Sequence, residues 1–148
     1  MSYWPLLVCL VATWYFVGLI WIIQVVQYPL FALVGQDTFA RFHEAHSRRI
    51  TLVLGLPFLL TFGSALLMFW VRPTGVPFWS VLLNLLLAVS VWVITALIHV
   101  PLHSSLGRAY SLRTMQSLID TNWLRTAVWT AQGLLLLWMI ANALHTFT

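Results

Sequence analysis

The chain has 148 residues, of which 61% are hydrophobic and 7% charged, and it contains no lysine. A water-soluble domain is about one quarter charged, so these proportions exclude a soluble globular enzyme and indicate an integral membrane protein with one domain over residues 1–148. Seven arginines against Asp37, Glu44 and Asp120 give a formal charge of +4. The arginines cluster at helix ends, where they signal topology or meet anionic lipid, and no nucleic-acid surface is expected.

Met1-Ser2-Tyr3-Trp4 carries no basic region, and the apolar run that follows outlasts a signal-peptide core, so a retained helix is expected there. The single cysteine, Cys9, lies in that run and reads as a packed thiol. Four stretches have an uncharged apolar core of about 20 residues, enough to cross roughly 30 Å of hydrocarbon. The predicted helices cover about 4–28, 48–71, 77–103 and 113–144. Lipid satisfies no backbone N–H or C=O, so these runs must be helical. The fold class is all-α: a membrane four-helix up-and-down bundle with short interfacial helices.

The connection around Pro73 to Pro77 is short and joins helices two and three as an antiparallel pair. The other two connections are polar and share the side opposite the termini. Arg41, Arg48, Arg49, Arg108, Arg113 and Arg125 lie there, against Arg72 alone on the other side, which places the polar connections in the cytoplasm and both termini outside, in a bacterial inner membrane. Trp4, Trp70 and Trp79 suit an aromatic belt at the outer interface, whereas Trp14, Trp21 and Trp92 are mid-helix. Pro57 should bend helix two, and Gly63-Ser64-Ala65 allows close helix approach. Beyond the N-cap Asp37, a short helix turns Phe39, Phe42, His43 and His46 to one face and Arg41, Glu44 and Arg48 to the other, with Glu44 and Arg48 spaced for a surface ion pair; this helix either lies in the interface or extends helix two.

Four of the five histidines converge on one end of such a bundle. His99 and His103 are spaced i,i+4 and His43 and His46 i,i+3, spacings that put two imidazoles on one face. Together they would suit zinc, copper or iron, or haem as axial ligands. The alternative is that each packs as an amphipathic ring at the interface. Pro101, between His99 and His103, forces a break or a new turn. Asn122 and Arg125 form a second group, either snorkelling to water or holding an anionic or quinone-like oxygen. Asp120 either orients an imidazole or caps helix four. Gln24, Gln27 and Tyr28 share a face of helix one; interhelical bonding is expected of Gln24, as of Asn84, Thr95 and Gln132, and proton donation of Tyr28. There is no HExxH, Walker, GxGxxG or CxxC motif, which leaves metalloprotease, nucleotide-driven and thiol-redox classes unsupported. The absence of a mid-membrane carboxylate weighs against ion-coupled transport.

The segment His99-Val100-Pro101-Leu102-His103 with Leu106, followed by Asn122-Trp123-Leu124-Arg125, resembles paired signatures of small four-helix membrane proteins related to anthrone oxygenases. The resemblance covers about residues 99–125 and implies a four-helix bundle and oxidation of an aromatic, quinone-forming substrate. Asn122 and Arg125 match the pattern; His99 and His103 depart from it, asparagine being usual at both. The leading expectation is an oxidoreductase-like protein. His43, His46, His99 and His103 would bind metal or haem or act as acid–base groups, with Arg125, Asn122 and Tyr28 as catalytic groups. Gln27, Trp123 and Asp120 complete the expected lining as cofactor-binding residues, beside a hydrophobic small-molecule ligand. The alternative is a non-catalytic subunit or assembly factor of a larger membrane complex, which a lone homo-oligomer with bound small ligand would disfavour.

Overall fold

The structure, a computed structural model, describes residues 3–145; Met1 and Ser2, which precede the expected first helix, lie outside the described residues. Four long helices make up the fold: α1 (Trp4–Phe31), α2 (Gln36–Leu67), α3 (Phe78–Arg108) and α4 (Leu112–His145). Each is apolar enough to cross a membrane, and there is no strand among the described residues. At 28 to 34 residues they are longer than their apolar cores, reaching roughly 42–51 Å at 1.5 Å per residue. The excess lies at the end away from both termini, here called the distal end. The segment bearing His43 and His46 is continuous with α2, and the segment from Leu112 is continuous with α4.

The termination signals are local. Gly35, with φ −59° and ψ 141°, turns the chain into α2, and Ser111 Oγ accepts from the Thr114 amide at 3.3 Å to start α4. Between α2 and α3, Gly75 has φ 79°, a left-handed conformation that favours glycine, and Arg72 Nη1 donates to the Val76 carbonyl at 3.0 Å.

Two prolines inside the helices produce the same device. Pro29 and Pro101 lack an N–H, and their rings crowd the carbonyl four residues back. The helices do not break there. Each widens by one π turn, over Ile23–Gln27 in α1 and Thr95–His99 in α3, so that the Tyr28 amide bonds to the Ile23 carbonyl and the Val100 amide to the Thr95 carbonyl. Both helices then run on for another turn or two, past the limits the sequence predicts.

Antiparallel packing sets α1 against α2 and α4, and α3 against α4 and α2. The core divides in two along the bundle. The proximal half packs Leu6, Cys9, Ala65, Met68, Val81 and Leu136, while the distal half packs Phe16, Ile20, Tyr28, Phe31, Leu106, Leu118 and Trp129. Ser64 and Ala65 are buried as expected, but Gly63 meets nothing. Among the glycines described, Gly133 has the closest neighbours, where a Cβ would come within 3.2 Å of Val17 Cγ2 and 3.3 Å of the Trp14 ring. Outward faces carry large apolar side chains such as Leu52, Leu97 and Trp70, each more than 70% exposed, as lipid requires.

Candidate functional site

In the distal half the helices part around a cavity of about 1110 Å³. Its deep wall is aromatic and aliphatic: Phe16, Ile20, Phe58, Val91 and Trp129. Phe16 lies flat on Trp129, with ring centroids 4.4 Å apart and planes at 11°, which fixes the indole. The mouth is marked by the exposed lining residues Arg41, Glu44 and Arg48 of α2 and Val100, Ser104 and Gly107 of α3. Sequence periodicity expects Arg41, Glu44 and Arg48 on the opposite face as surface charge. The structure corrects this: all three line the cavity together with His43 and His46 of the same helix, while remaining exposed.

The polar floor is built on π-turn residues and on α4. Tyr28 follows the π turn of α1, and its oxygen, buried in the core, accepts from Arg125 Nη2 at 3.1 Å. The same oxygen lies 3.1 Å from His103 Nε2, and His103 Nδ1 lies 3.1 Å from His43 Nε2. Arg125, Tyr28, His103 and His43 therefore form one continuous hydrogen-bonded chain, ending beside Gly107 at the mouth, where a Cβ would sit 3.6 Å from His43 Nδ1. A guanidinium only donates, so the direction of the remaining links is carried by Tyr28. The phenol either donates to His103, which donates to His43, or accepts from His103 and turns its hydrogen into the cavity.

Asn122 and Gln24 act behind this floor. Arg125 donates through Nε and Nη2 to Asn122 Oδ1 at 2.9 and 2.6 Å, and Asn122 Nδ2 donates to Gln24 Oε1 at 2.7 Å. Gln24 Nε2 in turn donates to the Ile119 carbonyl at 3.2 Å. Each amide both donates and accepts here, and Asn122, 0% exposed and not among the cavity-lining residues, holds Arg125 from behind. Gln24 has the interhelical role expected of it. Gln27 also acts indirectly, its Nε2 donating to His46 Nδ1 at 2.9 Å, which leaves the His46 hydrogen on Nε2.

Two expected lining residues lie elsewhere. Asp120 is exposed in mid-helix and accepts from Gln116 at 2.9 Å, so it neither caps α4 nor touches an imidazole. Trp123 points outward at 48% exposure and packs edge-on against Trp21. On an α-helix neither position falls on the face that carries Asn122, Arg125 and Trp129.

The four imidazoles all border the cavity, yet they do not form one cluster. His43, His46 and His103 lie together, with His103 within 5.4 Å of His43 and 6.4 Å of His46 between ring centroids. His99 stands apart in the π turn, its Nδ1 3.3 Å from the Ile94 carbonyl and its Nε2 buried without a hydrogen-bond partner. Both nitrogens of His103 are engaged by protein groups, and among the described residues no three His, Cys, Asp or Glu side chains are arranged to hold a metal ion. The donor set does not fit the expected four-imidazole centre.

The sequence reading missed the α2 wall of Ser47, Thr51, Gly55 and Phe58. A signal was present, since Ser47, Thr51 and Gly55 follow i, i+4, i+8 and put small or polar groups on one helical face. No protein-family model, no curated protein and no solved structure matches the chain.

Proposed function

We propose that the protein binds a lipid-dissolved aromatic, quinone-type molecule in the distal cavity and moves protons on its oxygens, the acid–base half of an oxidoreductase-like activity. The observation that carries this reading is the union, in one cavity, of a flat aromatic wall with a polar floor of Tyr28, Arg125 and His99. Large apolar pockets with a few convergent polar groups are the usual form of a small-molecule site. Arg125 supplies a fixed positive charge for a developing oxyanion, and Tyr28 supplies a hydrogen that His103 and His43 can replace from the mouth. The resemblance to the anthrone-oxygenase-related proteins favours the same class of substrate. It rests on Asn122 and Arg125, which here form the oriented guanidinium.

The orientation belongs to the same proposal. Arg125 serves the site, and the remaining arginines at the distal end still outnumber Arg72, so the cavity mouth faces the cytoplasm. Reporter fusions at the 67–78 connection and at Thr148 should both report the outside.

A cavity-filling variant tests the function. A Cβ at Gly55 meets nothing within 4 Å, so Gly55→Phe should fold normally and project its ring into the void. In lipid nanodiscs, titrated by tryptophan fluorescence, 1-naphthol should bind the wild type saturably, and Gly55→Phe should weaken it more than about tenfold. Equal binding to both proteins would remove the cavity as the site. Co-purification with large subunits and no saturable ligand would favour a complex subunit instead.

A further inference from the structure

His99 carries an unpartnered polar atom whose chemistry is fixed by its neighbour. The residue is 1% exposed, borders the cavity, and has Nδ1 3.3 Å from the carbonyl oxygen of Ile94. A carbonyl oxygen has no hydrogen to give, so the hydrogen in that contact belongs to Nδ1. In the neutral imidazole the other nitrogen is then a bare acceptor. The Nε2 atom is buried and meets no protein donor. A buried acceptor left unpaired is costly, and because His99 lines the cavity a small shift of its ring would let a hydrogen-bond donor on whatever fills the cavity pair Nε2.

The π turn creates this arrangement. Thr95–His99 is wound with i→i−5 bonding ahead of Pro101, which places the imidazole alongside the carbonyl five residues back. The tautomer is therefore set by the backbone, independently of any ligand. Across the same cavity the complementary chemistry is present, because Arg125 uses Nε and Nη2 on Asn122 and Tyr28 while Nη1 makes no hydrogen bond among the described residues. One face of the polar floor accepts and the other donates.

We infer that the cavity selects the hydroxyl-bearing form of its aromatic ligand, a phenol or hydroquinone whose O–H donates to His99 Nε2, over the ether or quinone form. A quinone carries only acceptor oxygens. It can take hydrogen bonds from Arg125 or Tyr28, but it leaves His99 Nε2 unpaired. A phenolic O–H satisfies Nε2, while an oxygen on the ligand accepts from Arg125. Proton transfer along the first bond would break O–H, form Nε2–H and leave the electron pair on the ligand oxygen, with no electron leaving the ligand. The inference rests on the cavity being the ligand site and adds which chemical form it takes.

The test compares 1-naphthol with 1-methoxynaphthalene, which have the same ring system with and without the donor. Both are titrated against the protein in nanodiscs, with protein-free discs subtracted. The expected result is a preference for 1-naphthol of about tenfold, the worth of one buried hydrogen bond. His99→Phe should abolish the preference, read as the ratio of the two affinities measured on the same variant. A second measurement needs no variant: nitrogen NMR of histidine-labelled wild-type protein should show an unprotonated Nε2 at His99 that shifts on adding 1-naphthol and not on adding the ether. Equal binding of the two probes, tighter binding of the ether, or a preference that survives in His99→Phe would overturn the inference while leaving the cavity as the site. Binding of neither probe would overturn both.

Discussion

The proximal and distal halves of the bundle both bury polar side chains between apolar helices, and they use them in opposite ways. In the proximal half Gln132 Nε2 donates to Asn84 Oδ1 at 3.0 Å, Asn84 Nδ2 reaches Cys9 Sγ at 3.6 Å, and Cys9 Sγ reaches the Thr61 carbonyl at 3.8 Å. That chain touches α1, α2, α3 and α4 in turn and is packed on all sides. In the distal half a longer chain, from Gln24 through Asn122, Arg125, Tyr28 and His103 to His43, runs along the edge of a void. In the first case the polar groups bond mainly to one another and hold the helices in register, with Gln132 Oε1 left buried and unpaired. In the second they are oriented by one another and keep a face for something else. Buried amides in a membrane helix are therefore ambiguous until it is known whether they border a space.

Substitutions can break that contrast from either side. The largest effect is expected for Arg125→Ala, which removes the guanidinium from Asn122 and Tyr28 together. Loss of charge-assisted bonds worth roughly 1.5–3 kcal/mol each should weaken 1-naphthol binding on the order of 10- to 100-fold in the nanodisc titration. Thermal stability of the proximal half, followed by the protection of its amides from exchange, should be nearly unchanged. Gln132→Leu is the converse. It removes one interhelical bond and leaves Asn84 Oδ1 unpaired, so unfolding in detergent should shift by about 1 kcal/mol, in the range measured for such bonds in membranes, with ligand affinity unaltered. The smallest effect belongs to Gly107→Ala. The added methyl sits at ordinary contact distance from His43, so affinity should stay within about twofold while helix propensity adds up to ~1 kcal/mol of stability. A large loss of affinity there would mean that the mouth is closed more tightly than the exposed glycine indicates.

Much of this could be read from residue order alone. Four apolar runs of spanning length dictate four helices, short connections dictate antiparallel neighbours, and together these bring Tyr28, His43, His46, His99, His103 and Arg125 to one end. What residue order does not disclose is local winding. Face assignments by i,i+4 spacing assume 3.6 residues per turn, and a π turn inserts one residue and rotates all that follows by roughly 100°. The π turn ends at His99, and His99 and His103 take different partners although their spacing suggests a pair: His103 bonds to Tyr28 and His43, and His99 to its own backbone. Asn122 and Asp120 were indistinguishable by type, since either could serve a site. Only packing shows that one points into the bundle and the other into solvent. Gly133 escaped notice because a lone glycine in an apolar run carries no pattern, whereas the cluster at Gly63 did.

The cavity-lining residues Thr51, Gly55 and Val100 are exposed on membrane-spanning helices, and that has a bearing on how strong the site needs to be. A lipophilic ligand of the proposed class gains about 0.8 kcal/mol per methylene on leaving water for the acyl chains. The bilayer thus gathers such molecules before the protein meets them, and the protein samples a population already concentrated in two dimensions. Modest intrinsic affinity then suffices for occupancy, and the polar floor is left to discriminate among dissolved neighbours by hydrogen-bond sense.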